Sequence, residues 1–434
     1  MAFAESVLIV GGGVFGLSTA LSLSERHPTT QITLLESSPT IPNPHGSSVD
    51  SSRIIRADYA NRAYADLAAA AIRKWRTTAW GQDGRYTENG LVLVYSEGNA
   101  VAEKYTRDSY ENVRALEGED RVTFLPSNVA VEETVPRYAG GTNAAGGYLN
   151  RGSGWADAEA GVRFAKQLLA QRANVTIKQD AEVERLLFGD ADNKVTGVVL
   201  KKSSKVLTAD LVVLATGAWT PRLVDLGGIA EATGQVLAYI QISDEEQEQL
   251  AHMPTILSFA TGMFIIPPRK NELKIARHAY GYRNPQAVQV PVAGKQLETV
   301  EVSIPENGVA VPQEGERACR QALSEMLPAF ADRPFIRTRV CWYTDTPKGD
   351  FLITYHPDHP NLFLATGGSG HGYKFLPILG EKIVDALEGT LDADLARLWK
   401  WPEVRAPRGP VATHDGSRSG AIGLVLRDEL AKSA

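Results

Sequence analysis

Clusters of apolar positions at the start of the chain predict a strand–helix–strand unit. Residues 7–10 form an uninterrupted apolar run, typical of a strand buried on both faces, and glycines follow at once. Residues 17–26 have the pattern of a helix, and residues 31–35 that of a second buried strand. We therefore predict a doubly wound α/β domain that begins here.

The same two patterns return later and divide the chain. Further strands are predicted at 90–95 and 175–178, and further buried strands at 211–215 and 362–365. Helices are predicted at 65–78, 158–172 and 374–387. From 231 to 337, strand-like runs at 236–242 and 264–266 mix with Pro and Gly turns, which favours a mixed or antiparallel sheet in a second domain. We predict a discontinuous nucleotide-binding domain (1–85, 150–228 and 337–400), a substrate domain (86–149 and 229–336) and an extended C-terminal tail packed on the surface (401–434).

Composition and charge narrow the class of protein. The 434 residues are 43% hydrophobic and 22% charged, as in globular proteins, and two cysteines exclude a disulfide scaffold. A net charge of −6 gives no overall attraction for nucleic acid or an anionic membrane. The uncharged stretch 6–24 contains four glycines and follows no basic residue, so it does not predict a signal peptide or a membrane span. We expect a cytoplasmic monomer; a peroxisomal location stays open, although Ala431-Lys432-Ser433-Ala434 is not the Ser-Lys-Leu signal.

A glycine pattern between the first strand and helix carries the first chemical signal. Gly11, Gly13 and Gly16 fit G-x-G-x-x-G, in which the glycines make the turn, admit a pyrophosphate and let helix and strand pack closely. Glu36 ends the second strand, where a carboxylate accepts hydrogen bonds from ribose hydroxyls and repels a 2′-phosphate. This predicts a dinucleotide site for FAD or NAD and leaves the choice open.

Motifs in the C-terminal half favour a flavin. The relevant stretches are Cys-Trp-Tyr-Thr-Asp-Thr-Pro at 341–347, Asp-Phe-Leu-Ile at 350–353 and the glycine-rich run 365–375. Three further segments carry the same resemblance: Arg-Ile-Ile-Arg at 53–56, residues 214–219 and residues 273–278. Together these stretches resemble the FAD amine oxidases that include monomeric sarcosine oxidase, pipecolate oxidase, fructosyl amino acid oxidases (amadoriases) and saccharopine oxidase. The resemblance runs from about residue 6 to 400, and residues 152–157 and 417–420 are similar to fungal saccharopine-oxidase-like members.

The resemblance implies a Rossmann-like FAD domain of the glutathione-reductase/D-amino-acid-oxidase type and an FAD linked covalently through Cys341. Taken alone, Cys341 would be read as a small buried hydrophobe. The loop Gly370-His371-Gly372 is predicted to precede a helix whose N–H groups face the flavin, and the alternative is an ordinary glycine loop. The further cofactor-binding residues implied are Val14, Phe15, Ser52, Arg53, Val183, Gly217, Tyr373 and Lys374.

The same resemblance implies the catalytic residues. Lys374 and Arg56 would hold a substrate carboxylate between two cations. Lys274 would lie over the flavin and favour reduction of O2, whereas strand alternation alone could equally place it on an exposed face. His278 and Tyr343 would lie beside the substrate, with a satisfied core histidine as the alternative for His278. No metal site is predicted.

We therefore predict an FAD-dependent oxidase of secondary amines, N-substituted or cyclic α-amino acids, that yields an imine and H2O2. The alternatives are a biosynthetic tailoring oxidase of an N-methyl aromatic amino acid and a flavin dehydrogenase with another electron acceptor. Some residues depart from the family pattern and argue against plain sarcosine or fructosyl amino acids as substrates. These residues are Phe264 in place of a tyrosine, Ser48 and Val49 in place of paired histidines, and Arg53 in place of a lysine.

Overall fold

Two large sheets organise the chain in a computed structural model that describes residues 3–136, 144–189, 193–292, 297–403 and 409–432. The strands are β1 Ser6–Val10, β2 Gln31–Leu35, β3 Arg53–Ile55, β4 Tyr86–Thr87, β5 Leu91–Ser96, β6 Val122–Leu125, β7 Ala144–Asn150, β8 Gly154–Ala156, β9 Val175–Lys178, β10 Val183–Phe188, β11 Val195–Leu200, β12 Val206–Thr208, β13 Leu211–Leu214, β14 Glu231–Gln241, β15 Thr255–Ser258, β16 Met263–Arg269, β17 Glu272–Arg277, β18 Pro285–Pro291, β19 Leu297–Ser303, β20 Phe335–Asp345, β21 Leu352–Tyr355 and β22 Leu362–Thr366. The helices are α1 Val14–Arg26, α2 Arg62–Thr77, α3 Ala100–Glu117, α4 Asn128–Thr134, α5 Ala158–Leu169, α6 Asp244–Ala251, α7 Gln313–Met326, α8 Leu379–Glu388, α9 Ala393–Trp399 and α10 Leu426–Ala431.

The first sheet has six strands in the order β21-β22-β13-β1-β2-β9. All neighbours are parallel except β21 and β22, and β1 lies between β2 and β13. Buried parallel strands need apolar residues on both faces, which is why β1 and β13 are continuous apolar runs. The strands that the sequence spreads over more than 300 positions therefore meet in one sheet, and the carboxyl ends of its five parallel strands share one edge.

Helix α1 packs against α8 and α5 on one face of this sheet. The contact with α8 is close because Gly380 has no side chain: a Cβ there would lie 1.8 Å from the Ser18 carbonyl oxygen. The Ser18 hydroxyl lies 2.6 Å from the Gly380 N–H and accepts its hydrogen bond. Glycine at this position thus lets two helices approach to backbone contact.

The second sheet has eight strands in the order β20-β14-β17-β16-β15-β5-β7-β6. Its longest pair is β14 with β20, which runs from Glu231 opposite Asp345 to Ile240 opposite Phe335. The predicted domain boundary at residue 337 falls inside β20, because this strand continues the second sheet through Cys341. Smaller sheets complete the fold: β10-β11-β12, β3-β8-β4 and β18-β19.

Two predicted elements differ from the structure. The helix predicted at 374–387 begins only at Leu379, because Pro377 has no N–H to donate and residues 373–375 form a single 3-10 turn. The tail was expected on the surface, yet the side chain of Arg418, within residues 409–432, is buried. The same segment ends in helix α10. Residues 404–408 and 433–434 of this tail, and with them the end of the Ala431–Ala434 motif, lie outside the described residues. None of the helices in the described part of the chain is long and apolar enough to cross a membrane.

Candidate active site

The predicted dinucleotide loop connects β1 to α1 and is shaped by glycine. Gly11 has φ +109°, and a Cβ there would lie 2.4 Å from the Ala215 carbonyl oxygen. A Cβ on Gly16 would lie 1.9 Å from the Gly11 carbonyl oxygen, so the helix can approach the strand only without a side chain. Gly13 caps α1 without a side-chain hydrogen bond, and the helix already begins at Val14. The loop therefore presents backbone and a helix N-terminus, as an anionic pyrophosphate requires.

Glu36 follows β2 directly and is buried. Its carboxylate accepts hydrogen bonds from the Gly12 N–H at 2.9 Å, the Ser38 N–H at 2.8 Å and the Asn43 amide at 2.9 Å. These donors hold the carboxylate beside the glycine loop, the position expected for a ribose-binding residue.

A cavity of about 680 Å³ extends from this loop between the two sheets. Most of the predicted cofactor-binding residues line it: Gly11, Gly13, Val14, Phe15, Glu36, Arg53, Val183, Gly217, Gly370, Gly372 and Tyr373. The glycine loop, the buried Glu36 and the volume of the cavity together fit a dinucleotide such as FAD. Gly16 lies behind the loop, where it serves the packing of α1 on β1.

A second cavity of about 70 Å³ adjoins the first on the side of the second sheet. Arg53, Tyr343, Gly370 and Tyr373 line both cavities. The remaining predicted site residues all line the second cavity: Ser52, Arg56, Lys274, His278, Cys341, His371 and Lys374. The structure therefore brings the predicted catalytic set together from β3, β17, β20 and the loop after β22.

Cys341 and Tyr343 lie on the same face of β20. Cys341 is buried opposite Gln235, and Tyr343 stands opposite Thr233 in the same antiparallel pair. Tyr343 packs on Gly370, where a Cβ would come within 2.3 Å of its ring. Gly370 has φ +73°, so both the backbone conformation and the close ring contact require glycine.

Lys274 is fully buried on β17 in a cluster of charges, so an exposed position is excluded. Its ammonium donates to Asp50 at 3.1 Å and to the Ser52 carbonyl oxygen at 2.6 Å. Asp50 also pairs with Arg53 and accepts from the Tyr239 hydroxyl at 2.7 Å. Burial lowers the pKa of Lys274 to about 8, against the attraction of Asp50. Burial opposes the ionised form of Asp50, but Lys274 and Arg53 hold its pKa well below the usual range.

Arg56 and Lys374 face the same small cavity. Arg56 is buried; its Nη1 has no hydrogen-bond partner in the described structure, and its guanidinium lies over the Tyr59 ring at 4.7 Å. The Lys374 ammonium lies 2.8 Å from the Tyr59 hydroxyl and 2.8 Å from the His371 carbonyl oxygen. A buried guanidinium nitrogen without a hydrogen-bond partner indicates a missing acceptor, because burying such a donor unpaired is costly.

His371 fixes the direction of a hydrogen-bond chain. Its Nε2 lies 2.8 Å from the Gly349 carbonyl oxygen, which can only accept, so this nitrogen carries the proton. Its Nδ1 therefore accepts from the Tyr59 hydroxyl at 2.9 Å, and the Tyr59 oxygen accepts from Lys374. Burial and the neighbouring Lys374 hold the pKa of His371 well below its usual range. The Gly370–Gly372 loop leads into a 3-10 turn rather than into an α-helix, which removes the helix dipole from the predicted stabilisation of the flavin.

His278 meets a residue that the sequence did not place in the site. Arg418, from the C-terminal segment, approaches His278 Nδ1 at 3.3 Å, pairs with Asp345 at 2.6 Å and donates to the Ser369 carbonyl oxygen at 2.9 Å. Because a guanidinium only donates, His278 Nδ1 accepts and Nε2 carries the proton. Burial and Arg418 also hold the pKa of His278 well below its usual range, so the ring is neutral.

Sequence reasoning missed Asp50, Tyr59, Tyr239 and Arg418. Asp50 precedes the Arg-Ile-Ile-Arg motif, and its burial beside Lys274 depends on a pairing across more than 200 positions. Tyr59 and Tyr239 carry no signal that distinguishes them from core tyrosines. Arg418 was recognised only as part of a motif, because composition predicts a loop but not where the loop packs.

Comparison with known proteins identifies the family. A family model described as FAD dependent oxidoreductase (DAO) matches residues 6–386. The amino acid oxidase imqH of Aspergillus flavus is 34% identical over 92% of this chain and 98% of its own, and L-saccharopine oxidase of Schizosaccharomyces pombe is 28% identical over 92% and 93%. The structure of the fructosamine oxidase amadoriase II from Aspergillus fumigatus superposes with a TM-score of 0.83 at 28% identity, covering 99% of this chain and 97% of that one.

The fold and the paired cavities thus define an FAD-dependent oxidoreductase. The chain belongs to the DAO family of FAD dependent oxidoreductases, and it is similar to fungal amino acid oxidases. The predictions of the family, the α/β fold with a mixed-sheet domain and the FAD cofactor are confirmed. The roles of individual residues stay predictions.

Proposed function

We propose that the chain is an oxidase of secondary amines, of the N-substituted or cyclic α-amino acid type. The observation that carries this is the pair of buried basic side chains, Arg56 and Lys374, that share a cavity with Tyr343 beside the cofactor space. Two cations converging on one carboxylate would fix the substrate Cα. Leu237, Leu257 and Phe264 form an apolar wall that suits an alkyl, ring or aromatic substituent.

When bound, FAD would supply the redox chemistry, which is acceptance of a hydride from the substrate carbon and reduction of O2 to H2O2. Arg56 and Lys374 orient the carboxylate, and Tyr343 and Phe264 border the reacting end of the substrate. Buried beside Asp50, Lys274 provides a fixed positive charge for the developing superoxide. The imine product then hydrolyses, or cyclises where it carries a nucleophile. A monomeric state and a cytoplasmic location stay predictions.

The substrate class is tested by peroxide release from the purified protein. We expect peroxide with one or more of pipecolate, proline, saccharopine and N-methyl aromatic amino acids, and little with fructosyl-valine or sarcosine. Glycine is the primary-amine control. Bleaching of the flavin by an amine without peroxide in air would contradict the oxidase and support a dehydrogenase. Peroxide from an N-methyl aromatic amino acid alone would support the biosynthetic tailoring alternative, which the apolar wall favours.

We further propose that Cys341 carries the flavin covalently. The thiol is buried in the wall of the second cavity, two residues before Tyr343, which lines both cavities. The Arg53 guanidinium lies 3.7 Å from its sulfur. In Cys341→Ala, acid denaturation should release all yellow colour into the supernatant, whereas the Cys319→Ala control should keep it in the pellet. Colour in the Cys341→Ala pellet would exclude this linkage.

A further inference from the structure

Lys374 is a buried amine in a cavity whose described lining contains several basic side chains and no carboxylate. None of the described Asp or Glu side chains lies within 4.0 Å of the charged nitrogens of Lys374 or Arg56, and none lines the cavity. The nearest acidic residue is Asp58, whose carboxylate is already occupied by Tyr148, Asn150 and Ser153. Burial and the charge of Arg56 hold the pKa of Lys374 well below its usual range, against the weaker attraction of Asp58.

The other basic nitrogens of the cavity have no free lone pair. His371 accepts from Tyr59 through Nδ1 and donates to Gly349 through Nε2. His278 accepts from Arg418 through Nδ1, and its Nε2 carries the proton. Arg53, Arg56 and Arg277 are guanidinium cations that do not deprotonate in proteins. The Lys274 ammonium is held by its ion pair with Asp50 and its hydrogen bond to the Ser52 carbonyl oxygen.

A neutral Lys374 is different. Its two N–H bonds match the two acceptors in place, the Tyr59 hydroxyl and the His371 carbonyl oxygen. The remaining tetrahedral direction of the nitrogen is left for its lone pair, on a residue that lines the substrate cavity. The contacts of Lys374 are therefore complete without a charge, and the lone pair can accept one proton.

We propose, building on the function proposed above, that Lys374 takes the ammonium proton of the arriving substrate. A secondary amine with a pKa near 10 reaches the site as R2NH2⁺ with a carboxylate. One N–H bond of the ammonium breaks and one N–H bond forms on Lys374, which leaves R2NH and a Lys374 cation, with no net gain or loss of protons. The neutral amine has the lone pair that must form the C=N bond as hydride leaves carbon. The new cation and Arg56 hold the carboxylate.

The first test measures proton exchange on binding. Tetrahydrofuran-2-carboxylate has the shape of proline without a titratable nitrogen. Titration calorimetry in buffers of different ionisation enthalpy, at a pH of about 8, should show uptake of about one proton per ligand in the holoenzyme. Lys374→Arg keeps a cation but cannot take up a proton, so its uptake should be zero. Arg56→Lys should bind more weakly yet keep the uptake.

The second test measures anaerobic flavin reduction against pH. In the holoenzyme, the apparent second-order rate constant should be flat between the pKa of free Lys374 and that of the amine, because neutral Lys374 and zwitterionic substrate coexist there. Lys374→Arg must select the neutral amine from solution, about one molecule in 1,000 at pH 7, so its rate constant should rise about tenfold per pH unit. If Lys374 only binds the carboxylate and takes no proton, the rate constant of Lys374→Arg should be lower than that of the parent enzyme by the same factor at every pH.

The outcomes distinguish a failure of the proton transfer from a failure of the proposed oxidase function. Binding of the carboxylate without proton uptake, or parallel pH profiles for the holoenzyme and Lys374→Arg, would overturn the proton transfer and leave the carboxylate clamp intact. No binding of tetrahydrofuran-2-carboxylate to a flavin-loaded, folded enzyme, together with no turnover of any amino acid, would overturn the proposed function as well.

Discussion

Single residues in this enzyme have properties that their neighbours impose. Asp50 lies between two cations, Lys274 and Arg53, so the cluster carries a net charge of about +1 in a fully buried place. Without Asp50, Lys274 and Arg53 would repel each other, and the pKa of Lys274 would fall further. We infer that Asp50 is what lets Lys274 stay charged near neutral pH.

Lys274 should control the reaction with O2 rather than the reaction with the amine. Lys274→Met removes a fixed positive charge, and loss of one such preorganised group costs about 10²–10³ in rate. Stopped-flow mixing of reduced enzyme with O2 should show this loss, with amine-driven flavin reduction changed far less. Because the pKa of Lys274 is about 8, the wild-type reoxidation rate should fall as pH rises through that value. Equal slowing of both half-reactions would refute this role; the exposed Lys270→Met is the control.

At the scale of elements, the sequence predicted best what local pattern dictates. The strand at Val175–Lys178 has its predicted bounds, and β1, β2, β13 and β22 agree to within a residue or two, because buried strands need continuous apolar runs. Pro377 shortened one predicted helix, and the sequence could have shown this, since a proline cannot donate within a helix. The pairing of β20 with β14 is a long-range choice that no local pattern specifies.

The packing of α8 on α1 should depend on Gly380. Gly380→Ala places a methyl group 1.8 Å from the Ser18 carbonyl oxygen, and both atoms nearest to it are backbone. Moving a helix to relieve such a clash costs about 1–3 kcal/mol of unfolding free energy, and more where the backbone cannot shift. Thermal or urea unfolding measures the loss. Lys382→Ala on the same helix, whose side chain is partly exposed, should change stability by much less; an equally stable Gly380→Ala would contradict the close approach.

The whole molecule is held together at the site by its C-terminal segment. The Arg418 side chain is 1% exposed and bonds to Asp345 on β20, to Ser369 after β22 and to Ala279 after β17. One side chain thus links both large sheets. The site could be predicted from the sequence where motifs are contiguous, as at Cys341 and Tyr343, and could not be predicted where a distant segment completes it.

Arg418→Met should destabilise the fold in a pH-dependent way. Breaking a buried ion pair by removing one partner costs about 3–5 kcal/mol, because Asp345 is left buried and unpaired. Burial already raises the pKa of Asp345 and Arg418 lowers it, so the variant should raise this pKa further. Its folded state then binds a proton more readily than its unfolded state, so the deficit should shrink as pH falls.

Unfolding midpoints across a pH series check this expectation. The control is Arg427→Met, where the side chain is 75% exposed and pairs only with a neighbouring exposed aspartate. That variant should match the parent protein at every pH. A deficit for Arg418→Met that stays constant with pH would exclude Asp345 as the cause.

The position of Arg418 near the end of the chain also determines when the site can be completed during synthesis. A ribosome adds about 5–20 residues per second, and domains can fold while synthesis continues. The first sheet is incomplete until β22 has emerged, and His278, which lines the substrate cavity, has no Arg418 beside it until residue 418 follows. A nascent chain therefore passes through translation without a finished site, and it cannot begin to oxidise amines while it is still attached to the ribosome short of this residue.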